Sequence, residues 1–204
     1  MEILKRQGNE AKKLHFAFFF ASPLVLSGGT SNESTFKLMP AIDYNKEFIK
    51  IINSLRQAKV QLTLTKRQCR TDSLQEILTQ KPLALHFSGH GLLNRVEDIG
   101  QDLCDEYKDQ GDLLLLETEE GDSQLVSRNA LKKMIEQNQC ELQFVMVATC
   151  HSEFVGKIFQ QAGAKHVICI LQSEEVDDLA VITFTETFYS MLLEHNMKIC
   201  DAFL

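Results

Sequence analysis

Two reactive side chains each stand at the end of an apolar run. His90 falls in LALHFSGHG (Leu83–Gly91), and Cys150 closes LQFVMVATC (Leu142–Cys150). A cysteine is a soft nucleophile whose thiolate a neighbouring imidazole stabilises, and the same imidazole can then protonate a leaving group. Such a pair needs no metal and no organic cofactor. Gly89 and Gly91 flank His90 and would let the backbone turn sharply and approach a substrate. His86, Ser88 and His90 share one face of an extended strand, so His86 is a rival base, although it reads better as a supporting or core residue. His151 directly follows the cysteine and, at a helix start, would point elsewhere. A zinc set can be drawn from His86, His90, Cys150 and His151, but it has no recognised ligand spacing. Cys69, Cys104, Cys140, Cys169 and Cys200 read as small structural hydrophobes, several of them within apolar runs.

The elements that must position His90 and Cys150 are strands. Both runs are near-continuously apolar over a strand's length, the signature of a parallel sheet covered by helices on both faces. In open α/β sheets ligands bind beyond the carboxyl ends of the strands, where neighbours lie only about 4.8 Å apart. The chain before them reads as βαβαβ. After a polar leader (residues 1–13), a first strand covers His15 to Ala21 and leads into the connector SGGTSNES. A helix then carries Phe48, Ile51, Ile52 and Leu55 inward, and a second strand is VQLTLT (60–65). A short helix capped by Asp72 and carrying Leu74, Ile77 and Leu78 leads past Pro82 to the His90 strand.

Beyond it, residues 92–110 read as a long acidic loop, and GDLLLLETEEGDSQLVS as a hairpin turning at Glu120-Gly121-Asp122. Ser127 caps a helix with Ala130, Leu131, Met134 and Ile135 inward, and the Cys150 strand follows. Cys150 then precedes a helix bearing Phe154, Val155, Ile158, Phe159 and Ala162, whose N-terminal dipole favours a thiolate. Gly163 ends that helix, HVICIL (166–171) is a fifth strand, and a last long helix runs from about Asp178 to Glu194, burying Val181, Phe184, Phe188, Met191 and Leu192.

The whole chain, 204 residues of which 44% are hydrophobic, is one globular domain's worth. A net charge of -7 opposes a nucleic-acid partner, which needs a basic face. The apolar stretch LHFAFFFASPLVL starts late and is too short to span a bilayer, so a membrane is not expected. Six cysteines without a CxxC pair fit buried thiols in a reducing cytoplasm.

In order along the chain, LHFSGHG, GDLLLLETEEGDSQLVS, VATC, AGAKHVICI, EEVDD and TFYSMLL resemble the CHAT domain, the caspase-like domain commonly attached to TPR repeats. The resemblance runs from Leu14 to Phe203. It implies a caspase-like three-layer α/β/α sandwich with a mainly parallel central sheet and an added β-hairpin. It further implies a cysteine endopeptidase with His90 and Cys150 as a catalytic dyad, the backbone N–H groups of Gly91 and Cys150 as oxyanion hole, and no cofactor. Residues 92–110 lie where such enzymes carry substrate-flanking or processing loops. Caspase-like enzymes select a charged residue before the cut, and Glu174, Glu175, Asp177 and Asp178 would favour a basic one; alternatively these acids cap the last helix. Partners implied are a protein or peptide substrate and TPR-type repeats or another regulatory protein. The resembled domain continues through a further helix and strand, so MKICDAFL reads as the start of elements absent from this sequence. From a different class, the same fold can serve as an inactive scaffold. A nucleotide-binding reading lacks a phosphate motif.

Overall fold

The computed structural model describes residues 14–28, 35–59, 61–138 and 141–204. The polar leader, most of the SGGTSNES connector and Cys140 lie outside the described residues. The centre is a five-stranded, all-parallel sheet built from β1 (Leu14–Phe20), β4 (Leu62–Gln68), β5 (Ala84–Ser88), β9 (Phe144–Ala148) and β10 (His166–Cys169), in the order β10-β9-β5-β1-β4. β5 lies at its middle. In β1, Phe16 and Phe18 face one side while Ala17 and Phe19 face the other, and all four are buried, which is why the run shows no polar alternation.

Helix α1 (Tyr44–Gln57) and the last long helix, α7 (Asp178–Tyr189), cover the first face. They bring Ile51, Leu55, Phe188 and Tyr189 onto Phe16, Phe18, Phe144 and Met146. Helices α2 (Thr71–Thr79), α5 (Arg128–Glu136) and α6 (Glu153–Gln161) cover the second with Leu78, Ile135 and Phe154 among others. This is the three-layer sandwich with a mainly parallel sheet that the sequence implies.

A second sheet stands beside it. The expected hairpin is β7 (Leu113–Glu117) against β8 (Ser123–Ser127), but it carries a third strand, β6 (His90–Leu92), antiparallel to β7. His90 therefore belongs to the side sheet, two residues after the central strand ends. Two further strands, β2 (Val25–Gly28) and β3 (Thr35–Leu38), pair antiparallel around the connector.

Several boundaries differ from the sequence reading. Residues 92–110 are not one irregular loop: they form α3 (Val96–Ile99) and α4 (Gln101–Tyr107), whose Ile99 and Leu103 pack with Leu92, Leu113 and Leu115. The two helices are too short for a periodicity to register, since four and seven residues complete one and two turns. Asp72 is not an N-cap, because α2 begins at Thr71; its Oδ1 accepts from the Ser73 N–H, and the Ser73 hydroxyl accepts from the N–H of Arg70. Ser127 caps α5 as expected, accepting from the Ala130 N–H, yet Ala130 itself is exposed.

The face of α7 is displaced from the apolar pattern. Its buried residues are Ile182, Thr185, Phe188 and Tyr189, with Leu193 in the π-helical turn Ser190–Glu194, while Met191 is exposed. Two of these carry hydroxyls, and apolar periodicity cannot assign such residues inward. The chain ends in α8 (Ile199–Phe203). No described helix is long and apolar enough to cross a membrane.

Candidate active site

β5 and β9 are neighbours in register, with Ser88 opposite Ala148, so the segments carrying His90 and Cys150 leave the sheet side by side at its carboxyl edge. The Gly89 N–H reaches the Ala148 carbonyl at 3.4 Å, and the chain then turns out into β6. A Cβ at Gly89 would meet the Phe87 ring and the Ala21 carbonyl. At Gly91 the approach is closer still: a Cβ there would fall on the Cys150 carbonyl oxygen, with Thr149 Oγ1 just beyond. Only glycine lets β6 lie directly on the residue before the α6 turn. Sequence and geometry thus bring Gly91 and Cys150 into backbone contact.

His90 is half-buried. Its Nε2–H donates to the Pro40 carbonyl at 2.9 Å, so the ring proton sits on Nε2 and Nδ1 is left with its lone pair. Burial pushes the imidazole pKa down, and the Pro40 hydrogen bond and the Asp178 carboxylate work in the opposite direction. Asp178 is held beside this corner, its Oδ2 accepting from the Asp43 N–H at 3.2 Å.

Cys150 Sγ has one hydrogen-bonding neighbour among the described residues, Val176. The Val176 N–H points at the sulfur at 3.5 Å, and the thiol lies 3.7 Å from the Val176 carbonyl. His151 is buried with a left-handed backbone (φ 51°), and its Nδ1–H donates to the Gln172 carbonyl at 2.8 Å. It looks away from the corner toward the segment before α7.

The four acids of the sequence reading are spread along that segment. Asp177 is the N-cap of α7, accepting from the Leu179 N–H at 2.8 Å, which supports the capping alternative for this residue. Glu175 is 3.6 Å from His151 Nε2, and the exposed Glu174 accepts from the Ser173 hydroxyl. Asp178 is the one acid of the four whose charge acts on His90.

The rival base is part of the core. His86 is fully buried, with Nδ1 3.1 Å from the Tyr189 hydroxyl and Nε2 3.1 Å from Glu47 Oε1. Thr185 Oγ1–H also donates to that oxygen. Burial alone would raise the Glu47 carboxyl pKa, but the His86 charge and hydrogen bonds from His86, Ser88 and Thr185 together hold it below its usual value. The residues of the zinc drawing therefore have separate partners, and no three His, Cys, Asp or Glu side chains converge on a metal position among the described residues.

Three residues at or near the site escaped the sequence reading. Pro40 and Val176 act through backbone atoms, which leave no residue-type signal. Glu47 was within reach, because Glu47, Ile51, Ser54 and Leu55 follow one helical stripe. An apolar cavity of about 290 Å³ lies elsewhere, between Leu14, Leu62, Ala84, Phe144 and Ile199 at the amino ends of the strands. It is remote from this chemistry, and the carboxyl edge is the better candidate.

A family model described as the CHAT domain matches residues 2–202. No curated protein matches. Among solved structures, a Streptococcus pneumonia TIGR4 flavodoxin is 14% identical and aligns over 90% of this chain and 99% of its own, with a TM-score of 0.34, too slight a likeness to bear on function.

Proposed function

The chain belongs to the CHAT domain family, a caspase-like, peptidase-type family, and from that premise we propose that it is a cysteine endopeptidase domain working through His90 and Cys150. The observation that carries this reading is the contact of Gly91 with the Cys150 carbonyl, which seats the His90 strand on the nucleophile's own backbone. The Pro40 carbonyl adds to it. With Nε2 committed to that carbonyl, Nδ1 is free to take a proton and return it, and burial favours the neutral, proton-accepting ring.

In the proposed reaction Cys150 Sγ attacks the scissile carbonyl as a thiolate. The backbone N–H groups of Gly91 and Cys150 stabilise the oxyanion, and His90 gives its proton to the departing amine. Water then attacks the thioester, releasing the acid and restoring the thiol. Asp178, whose charge acts on His90, is the acid of the four that would select a basic substrate residue. Substrates are peptides or proteins, and TPR-type repeats or another regulatory protein would control access in the cytoplasm.

A second reading, a non-cleaving protein-binding module, is favoured by one observation: the Val176 backbone already occupies the Cys150 thiol. The two separate on the pH dependence of Cys150 alkylation by iodoacetamide, followed by peptide mass spectrometry. For an enzyme, the midpoint lies below the ~8.5 of a free thiol and moves up toward it in His90→Ala. An ordinary midpoint, unmoved by His90→Ala, sinks the peptidase reading.

A further inference from the structure

The segment between β10 and α7 is tied at successive points to the residues around Cys150. The Ile170 N–H donates to Ser152 Oγ at 2.9 Å and the Gln172 N–H to Glu153 Oε2 at 3.2 Å. His151 then binds it twice, through Nδ1–H to the Gln172 carbonyl at 2.8 Å and through its own N–H to the Glu174 carbonyl at 3.4 Å. At the far end the Val176 N–H meets Cys150 Sγ. The charged groups facing this seam are Glu175, 3.6 Å from His151 Nε2, and Glu153, which is paired with Lys157.

His151 is the centre of the seam. It is 8% exposed, and it holds a left-handed backbone that residues with a Cβ adopt uncommonly. Strained backbone survives where the surroundings fix it and gathers at functional positions. Here the strain turns the side chain following the nucleophile onto the Gln172–Asp177 segment.

We propose that His151 is a positioning residue that straps the Gln172–Asp177 segment across Cys150, so that the thiol meets substrate only when this strap lifts. The inference rests on the reading of Cys150 as the nucleophile and adds its regulation: whatever activates the domain has to break the His151 contacts.

The test is the rate of Cys150 alkylation by iodoacetamide on the alkaline plateau, where the thiol is fully ionised and the rate reports access alone. His151→Gly keeps the left-handed backbone and removes the ring. His151→Asn also tolerates that backbone and places an amide N–H near the position of Nδ1–H. The plateau is expected to rise about five- to tenfold in His151→Gly, as the loss of one closing hydrogen bond would give, and to stay within about twofold of the parent in His151→Asn. Cys104 and Cys200 serve as internal references.

Equal plateaus in the parent and His151→Gly overturn the proposal. Should His151→Gly unfold the chain, a glycine inserted after the exposed Ser173 slackens the strap without touching His151, and it must raise the plateau in the same way. The midpoint and the plateau keep the two readings apart. A raised plateau in His151→Gly with an unmoved midpoint in His90→Ala leaves the strap and removes the dyad; the reverse pair leaves the dyad and removes the strap.

Discussion

The chemistry proposed for the carboxyl edge rests on a few close approaches of backbone and side chain. Gly91 is the sharpest case: a single methyl would collide with the Cys150 carbonyl. Gly91→Ala is therefore expected to cost about 1–3 kcal/mol in urea unfolding and to slow Cys150 alkylation relative to the other cysteines. Stability unchanged from the parent would mean that β6 does not press on Cys150. Away from the edge, Glu47 and His86 form a buried pair supported by Thr185, Ser88 and Tyr189. Removing one partner strands the other, and Glu47→Ala should cost about 3–5 kcal/mol. The pair also has a pH signature. Because the folded Glu47 carboxyl holds its proton less readily than the unfolded one, its contribution is complete above the ordinary value of 4.5 and fades as pH falls through the lower folded value. The gap in urea midpoint between the parent and Glu47→Gln should accordingly narrow on going from about pH 7 to about pH 3; a gap independent of pH would show that Glu47 is not ionised in the fold. His86 was legible from its strand as a companion of His90, whereas its partner Tyr189 was hidden in a helix whose buried face is partly polar.

At the scale of elements, the strands were the most legible part. Runs such as FAFFF and FVMVA are buried on both faces and admit few other readings. What the sequence could not show was that the chain leaves the central sheet at Gly89 and re-enters a second sheet at His90, since one residue of turn separates two apolar strands. Residues 92–110 were equally opaque: α3 and α4 are too short to impose a period, yet Ile99 and Leu103 close the small core under β6 and β7. This packing gives a direct expectation. Leu103→Ala should cost about 2–5 kcal/mol by urea unfolding, as for any buried leucine. A cost below about 0.5 kcal/mol, the range of surface substitutions, would restore the picture of a solvated loop. Because this element supports the strand that begins with His90, the same variant should also loosen the site before the central sheet melts.

For the molecule as a whole, the layered α/β architecture and the two reactive residues follow from pattern and resemblance, and the family match spans nearly the entire chain. The contacts around those residues do not follow from either. Pro40 and Val176 contribute backbone atoms, and His151 contributes a backbone conformation that no residue type announces. The picture proposed is of a parallel sheet that brings the His90 and Cys150 segments together and a strap from the next strand that closes over the thiol. Its central claim is that the aligned pair cuts peptides. The most direct measurement is the set of new peptide termini produced when a proteome-derived peptide library is incubated with the parent chain and with the strap-released His151→Gly, each with and without His90→Ala or Cys150→Ala. The expected result is a family of cleavages, sparse in the parent and fuller in His151→Gly, that share one charged residue before the cut and vanish with either His90→Ala or Cys150→Ala. The same termini in the parent and in Cys150→Ala would contradict it.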